Sequence, residues 1–247
     1  MILSTRFFDT TTRSWTKRGC CAVLVAGALM VGNAQAGSIT VPNPASSSYI
    51  SSDNCYPFDC TDSNTQYQQV YAASAFNGPI AISSITFFQD FTSYPSSIGV
   101  VPGTYTISFS TTSAGVDALS STFASNIGTD NQTFFSGTLG ALGNTLTITG
   151  TPFDYNPMNG NLLMNVSMNY SESVPNGQGN TYMLGDGSGT VSSRNSGSGT
   201  YGTADSVGLA TQFNTSTPTV PEPATWALFA AGLAGAGWML RRRQRSV

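Results

Sequence analysis

The sequence predicts an all-β protein, an antiparallel β-sandwich of jelly-roll-like type, and three observations carry that expectation. Between Gly37 and Asn214 apolar and polar residues alternate at a period of two, the spacing of a strand with one buried face. Gly, Pro, Asn and Ser repeatedly interrupt the alternation, as turns require. Ser and Thr fill 64 of the 247 positions while charged residues make up only 9%, so the outer faces of the strands carry hydroxyls where most soluble proteins carry charge.

The elements follow in chain order. Gln66 to Tyr71 reads as a strand, and Ile80 to Phe88 as another whose apolar phase shifts between Ile82 and Ile85, the signature of a bulge at Ser83-Ser84. Tyr105, Ile107 and Phe109 alternate with Thr and Ser, which predicts a half-buried strand with a hydroxyl-rich outer face. Val116, Leu119, Phe123 and Ile127 fall at helical spacing and predict a short helix near 117–123, with Asp117 at its positive end. Phe134-Phe135, Leu146 with Ile148, Leu162 to Tyr170, and Val207 to Phe213 complete the strands. The Ser/Gly-rich stretch from Gly185 to Thr203 reads as a long loop inside the domain, and Thr215 to Val220 as a short linker. No internal repeat recurs, which sets solenoids and propellers aside.

Charge is segregated along the chain. Eight of the nine basic residues lie at the ends, whereas residues 37–219 hold ten carboxylates against Arg194 alone, a net charge of -9. A domain of that sign repels nucleic acid, whose binding needs clustered Lys and Arg. The chain contains no His, which removes the Ser-His-Asp and Cys-His arrangements, the usual zinc sites and the commonest general base.

Both ends read as targeting segments. Residues 1–18 carry a net +3 and precede an uncharged apolar run from Gly19 to Gly32, then Ala34-Gln35-Ala36. This is the pattern of a secretory signal peptide over residues 1–36, cut after Ala36 so that Gly37 opens the mature chain. At the other end Val220-Pro221-Glu222-Pro223 leads into an uncharged apolar stretch that ends at Leu240, before Arg241, Arg242, Arg243 and Arg245. A helix over 224–240 would come close to spanning a bilayer, and the arginines beyond it would remain cytoplasmic. The expected organisation is therefore a signal peptide (1–36), a β-sandwich ectodomain (37–214), a linker (215–220) and a C-terminal segment (221–247) with a transmembrane helix.

The order Val-Pro-Glu-Pro-Ala-Thr-Trp, apolar helix and Arg cluster closely resembles the PEP-CTERM sorting signal. That resemblance implies processing near Pro221-Glu222-Pro223 by an exosortase-type enzyme, after signal peptidase and the secretion machinery have acted. It also implies a transient inner-membrane anchor, then a cell-surface or extracellular location, in an association with exopolysaccharide and biofilm. The segments Gln66-Tyr-Gln-Gln-Val-Tyr71 to Phe88, Ser120 to Asn126, Ser193-Arg194 and Gly208 to Asn214 also resemble a recurring ectodomain of such proteins, to which no activity attaches. The two prolines hold an extended backbone that a processing enzyme can grip.

Candidate chemistry in the ectodomain is sparse. Cys55 and Cys60 are the cysteines that remain after processing, and in an oxidising compartment a disulfide is expected. Asp53, Asp59 and Asp62 cluster around them, yet each lies among turn-forming neighbours where exposure is expected. They and Asp186-Gly-Ser-Gly offer oxygen atoms for a structural calcium ion, although neither matches an EF-hand loop. No other metal and no cofactor is expected. Tyr49, Tyr56, Phe58, Tyr67, Tyr94 and Tyr155 lie in turn-rich contexts where a ring could stack on a sugar. Arg194, in its Gly/Ser-rich setting, reads as a surface contact. The expected function is a structural or interaction role at the cell surface or in the extracellular matrix, without catalysis. A carbohydrate-binding β-sandwich module is the alternative, and a polysaccharide hydrolase working through two carboxylates ranks third.

Overall fold

The structure, a computed structural model, describes residues 37–43, 54–59, 65–90, 99–140, 143–170 and 181–216, together with Gly232. Among them run twelve strands: β1 (Gly37–Val41), β2 (Gln66–Tyr71), β3 (Ile80–Phe88), β4 (Gly103–Thr112), β5 (Gln132–Gly137), β6 (Thr145–Tyr155), β7 (Asn161–Tyr170), β8 (Gly185–Asp186), β9 (Ser192–Ser198), β10 (Tyr201–Asp205), β11 (Gly208–Leu209) and β12 (Thr211–Ser216). A four-stranded sheet has the order β1-β12-β3-β6, and a six-stranded sheet the order β10-β9-β2-β7-β4-β5; β8 and β11 form a small pair of their own. Every pairing is antiparallel. Apart from the neighbours β4–β5 and β9–β10, successive strands lie in different sheets, so the inner faces of the two large sheets are assembled from segments far apart in sequence. The result is an open, all-β sandwich.

The inner faces come from the period-two pattern. Tyr105, Ile107 and Phe109 of β4, Leu162, Met164 and Val166 of β7, and Ile82, Ile85 and Phe87 of β3 are all fully buried in one core. Phe213 of β12 lies at its centre, with ring centroids 4.9 Å from Tyr71, 5.5 Å from Phe76 and 6.4 Å from Phe109, each close to edge-on. These are the tilted contacts that ring quadrupoles favour. The expected bulge is present: Ser84 pairs with Thr149 and Asn214, while Ile82 pairs with Phe153 and Thr215, which leaves Ser83 unpaired in the ladder.

Four expectations are corrected. No helix forms over 117–123; the chain turns at Val116 and Asp117, and a 3-10 turn follows at Phe123–Asn126. Asp117 has φ of +58°, a left-handed conformation that a right-handed helix cannot contain. The helical spacing of Val116, Leu119 and Ile127 has another cause, because these residues cover Val70 and Leu163 on the outer face of the six-stranded sheet in a small second core. That cover also buries Ser108 and Ser110, hydroxyls expected to face solvent.

The Ser/Gly-rich stretch is no loop. It holds β8 and the β9–β10 hairpin, closed by the two-residue turn Gly199-Thr200, with Gly199 at φ +68°. Small residues here serve close approach: a Cβ on Gly202 would collide with the Phe123 ring 2.6 Å away. At the C-terminal side β12 runs on through Thr215 and Ser216, residues expected to begin the linker.

Two outcomes follow from this core. Phe213→Ala should cost about 3–5 kcal/mol in denaturant unfolding, as expected for deleting a fully enclosed ring. Burial pushes the phenols of Tyr67, Tyr71, Tyr105, Tyr155 and Tyr170 above their usual value. The unfolded chain, with ordinary phenols, sheds those protons first. These tyrosines therefore support the fold fully below about pH 10 and that support is lost as pH rises further. Melting temperature followed from pH 8 upward should fall steeply past about pH 10, together with the appearance of tyrosinate absorbance.

Candidate functional site

The polar interior is organised by β2, whose adjacent Gln68 and Gln69 point to opposite faces as strand geometry dictates. Gln69 faces the core. Its Nε2 donates to the Leu209 carbonyl at 2.8 Å and its Oε1 accepts the Leu209 N–H at 2.7 Å, so one side chain pairs with both backbone polar groups of one residue, as a neighbouring strand would. The Tyr67 hydroxyl donates to the same Oε1. Tyr71 and Thr211 share a hydrogen bond of 2.8 Å beside it. These bonds dock β11 and the start of β12 onto the six-stranded sheet.

Gln68 faces outward and is nevertheless fully buried. Its Nε2 donates to the Phe123 carbonyl at 2.9 Å and to Asn165 Oδ1 at 3.0 Å, while Asn126 Nδ2 donates to its Oε1 at 2.8 Å. Asn195 of β9 adds a bond from Nδ2 to the Ser120 carbonyl, 2.9 Å, and the Asp117 N–H donates to Ser193 Oγ at 2.7 Å. The connection from β4 to β5 is thereby strapped across β2 and β9. All four segments singled out in the sequence as a recurring ectodomain contribute to this arrangement or adjoin it on β12.

Arg194 corrects its expectation. It pairs with Gln69 across β9 and β2, and its side chain is only 13% exposed. The guanidinium grips Asp205 through Nε at 2.8 and 3.1 Å and Nη2 at 2.9 Å, donates from Nη1 to Asn54 Oδ1, and lies 5.6 Å from the ring centre of Tyr56. The single cation of the ectodomain is thus an internal clamp between the 54–59 turn and the β9–β10 hairpin. Asp205 is 40% exposed, so solvent screens part of the pair.

The carboxylates are also less exposed than their neighbours in sequence imply: Asp59, Asp90 and Asp186 are buried. Asp59 Oδ2 accepts the Thr181 N–H at 2.6 Å, Asp130 Oδ1 accepts the Thr111 N–H at 2.8 Å, and Asp186 Oδ1 accepts the Ser188 N–H at 2.9 Å. The Asp186 bond fixes its own turn, whereas Asp59 and the exposed Asp130 tie together segments distant in sequence. Asp53 and Asp62, the other expected calcium ligands, lie outside the described residues, and among the described residues no three candidate ligands converge. Of the aromatic residues considered for sugar stacking, Phe58, Tyr67 and Tyr155 are core, Tyr56 lies under Arg194, and Tyr49 and Tyr94 lie outside the described residues.

Cys55 is buried in the turn Asn54–Asp59, while Cys60 lies outside the described residues. So do Ala34, Ala36, the sorting residues Val220, Pro221, Glu222 and Pro223, and the basic tail. No described helix is long and apolar enough to cross a membrane; of the expected span over 224–240 only Gly232 is described. Gly37, the expected first residue of the mature chain, opens β1 opposite Thr215, with the Gly37 N–H donating to Thr215 Oγ1 at 3.1 Å and that hydroxyl donating back to the Gly37 carbonyl at 3.0 Å. The strand register therefore places the start of the ectodomain beside the end of β12, shortly before the sorting residues.

Residues 219–243 match the PEP-CTERM protein-sorting motif, which identifies the chain as a PEP-CTERM sorting protein handled by an exosortase and held by a C-terminal membrane anchor before processing. No curated protein and no solved structure matches the chain.

The two kinds of polar contact should differ in weight. Gln69→Ala strands the buried N–H and C=O of Leu209 and should cost about 2–4 kcal/mol, whereas Arg194→Met, which frees a partly solvated Asp205, should cost about 1–2 kcal/mol. Urea unfolding of the two variants beside the parent protein measures the difference. Equal losses would contradict the primacy given to Gln69.

Proposed function

We propose that the mature ectodomain is a non-catalytic structural or interaction component of the cell surface or extracellular matrix, deployed by exosortase processing and associated with exopolysaccharide. The sorting motif at residues 219–243 is the observation that carries this reading, since it determines where the folded domain is delivered. The absence of His from the chain and the use of Arg194, Asp59 and Asp130 in internal bonds favour a passive role. The sandwich is proposed to be wound as a jelly roll, because β1-β12-β3-β6 opposes β2-β7-β4-β5 with the β9–β10 hairpin added at one edge. A disulfide between Cys55 and Cys60 is part of the proposal. The Asp59 N–H donates to the Cys55 carbonyl at 2.7 Å, so the chain doubles back one residue before Cys60.

Replacement of Pro221, Glu222 and Pro223 by alanine tests the delivery step. The variant should retain the melting behaviour of the ectodomain yet stay in the membrane fraction with its Arg tail, where the parent protein is processed. Normal release of the variant, read by fractionation and intact mass, would show that these residues do not direct sorting.

A further inference from the structure

On the outer face of the four-stranded sheet the register aligns two straight rows of uncharged polar side chains. One row runs Ser38, Asn214, Ser84 and Thr149 across β1, β12, β3 and β6; the next runs Thr40, Gln212, Thr86 and Thr147. The intervening residues Ile39, Phe213, Ile85 and Ile148 point into the core, so the whole array faces outward. Ser38, Thr147 and Thr149 are exposed, and the others except Thr86 are partly so.

The rows are fixed from within. Gln212 Nε2 donates to Ser38 Oγ at 3.3 Å, Asn214 Nδ2 to Ser84 Oγ at 3.1 Å and to Thr86 Oγ1 at 3.3 Å, and Thr86 shares a bond of 2.9 Å with Thr147. A hydroxyl has one donor and two acceptor sites and an amide has four, so each group except the buried Thr86 retains capacity for an external partner. Rigid strands about 4.8 Å apart hold these groups in a regular lattice, and side chains already ordered lose little entropy on binding.

Charge selects the partner. Within the two rows there is no ionisable group, on a domain of net charge -9. An anionic polymer would need Lys or Arg, and the single cation of the domain is clamped to Asp205 in the other sheet. A cationic polymer would need carboxylates, and the one carboxylate in these four strands, Asp154, pairs with Ala81 on the far side of the bulge. An apolar partner would need exposed apolar side chains, which the rows lack. We propose that this face binds a neutral, hydroxyl-rich polysaccharide along its rows of Thr, Ser, Asn and Gln. The inference rests on the surface role proposed above and names the partner's chemistry and the face that meets it.

The test uses exported protein purified from an expressing bacterium. Its retention is measured on cellulose, dextran and a galactomannan as neutral probes, with alginate and chitosan as charged ones. The parent protein should be retained on a neutral probe above either charged one. Thr147→Val with Thr149→Val, which keeps the branched shape, should lower retention about tenfold, while Thr147→Ser with Thr149→Ser should preserve it. Melting temperatures of both doubles verify folding. Tyr201→Ala, on β10 of the other sheet, should have no effect. Undiminished retention of a folded Val double, or loss through Tyr201 instead, overturns this face and leaves a surface glycan role standing. Retention on no neutral probe overturns the glycan partner, and intact surface delivery in the same cells then leaves the structural role standing. Failure of delivery itself would count against the proposed function.

Discussion

The two amides of β2 are the constraint on which the rest of this structure depends. A central strand that places Gln68 and Gln69 on opposite faces has to satisfy a buried amide on each side, because an unpaired one costs about 1–3 kcal/mol. On the inner side Leu209 answers, and that fixes where β11 and the entry to β12 lie. On the outer side Phe123, Asn126 and Asn165 answer, and that fixes the strap between β4 and β5. With β12 in place, β1 and β3 have a partner on each of its edges and the four-stranded sheet can form.

Scarcity of charge has consequences at every level. A domain with one cation and ten carboxylates can make few ion pairs, and its one described salt bridge joins Arg194 to Asp205 beside the Gln69 network. Apart from the buried Asp59, Asp90 and Asp186, the described polar interior uses hydroxyls and amides, which hydrogen-bond without the desolvation cost of buried charge. The same residue types on the outside yield the two aligned rows on the four-stranded sheet, where they meet solvent instead of a strap. One composition therefore accounts for both the internal stitching and an uncharged outer face.

Legibility in the sequence followed the reach of the signal. Strands with alternating apolar residues were readable, β2, β4 and β7 among them, and the phase slip from Ile82 to Ile85 located the bulge at Ser83. The β9–β10 hairpin was not readable, because Ser192 and Ser193 are buried by glycine-mediated close approach and by partners such as Asp117 rather than by hydrophobicity. Its one local cue was Ser-Gly-Thr at the turn. Val116, Leu119 and Ile127 misled because residues lining a strap above a sheet can mimic helical spacing. Arg194, Asp59 and Asp186 misled for a related reason: neighbours in sequence report the turn, whereas burial is set by distant segments. Among the expected site residues, Gly37 and Cys55 have a described setting, and the sorting residues were recognisable from their order alone.

In the proposed reading the folded cargo begins at Gly37, beside the strand that ends at Ser216, with export and sorting acting on the segments to either side. The most direct measurement is the intact mass of the protein recovered from the surface of a producing cell. The account predicts a chain that starts at Gly37, lacks the tail Arg241 to Arg245, and has a mass two hydrogens below the reduced value for the Cys55–Cys60 bond. A surface-recovered chain that keeps residues 1–36 or the Arg tail would contradict it.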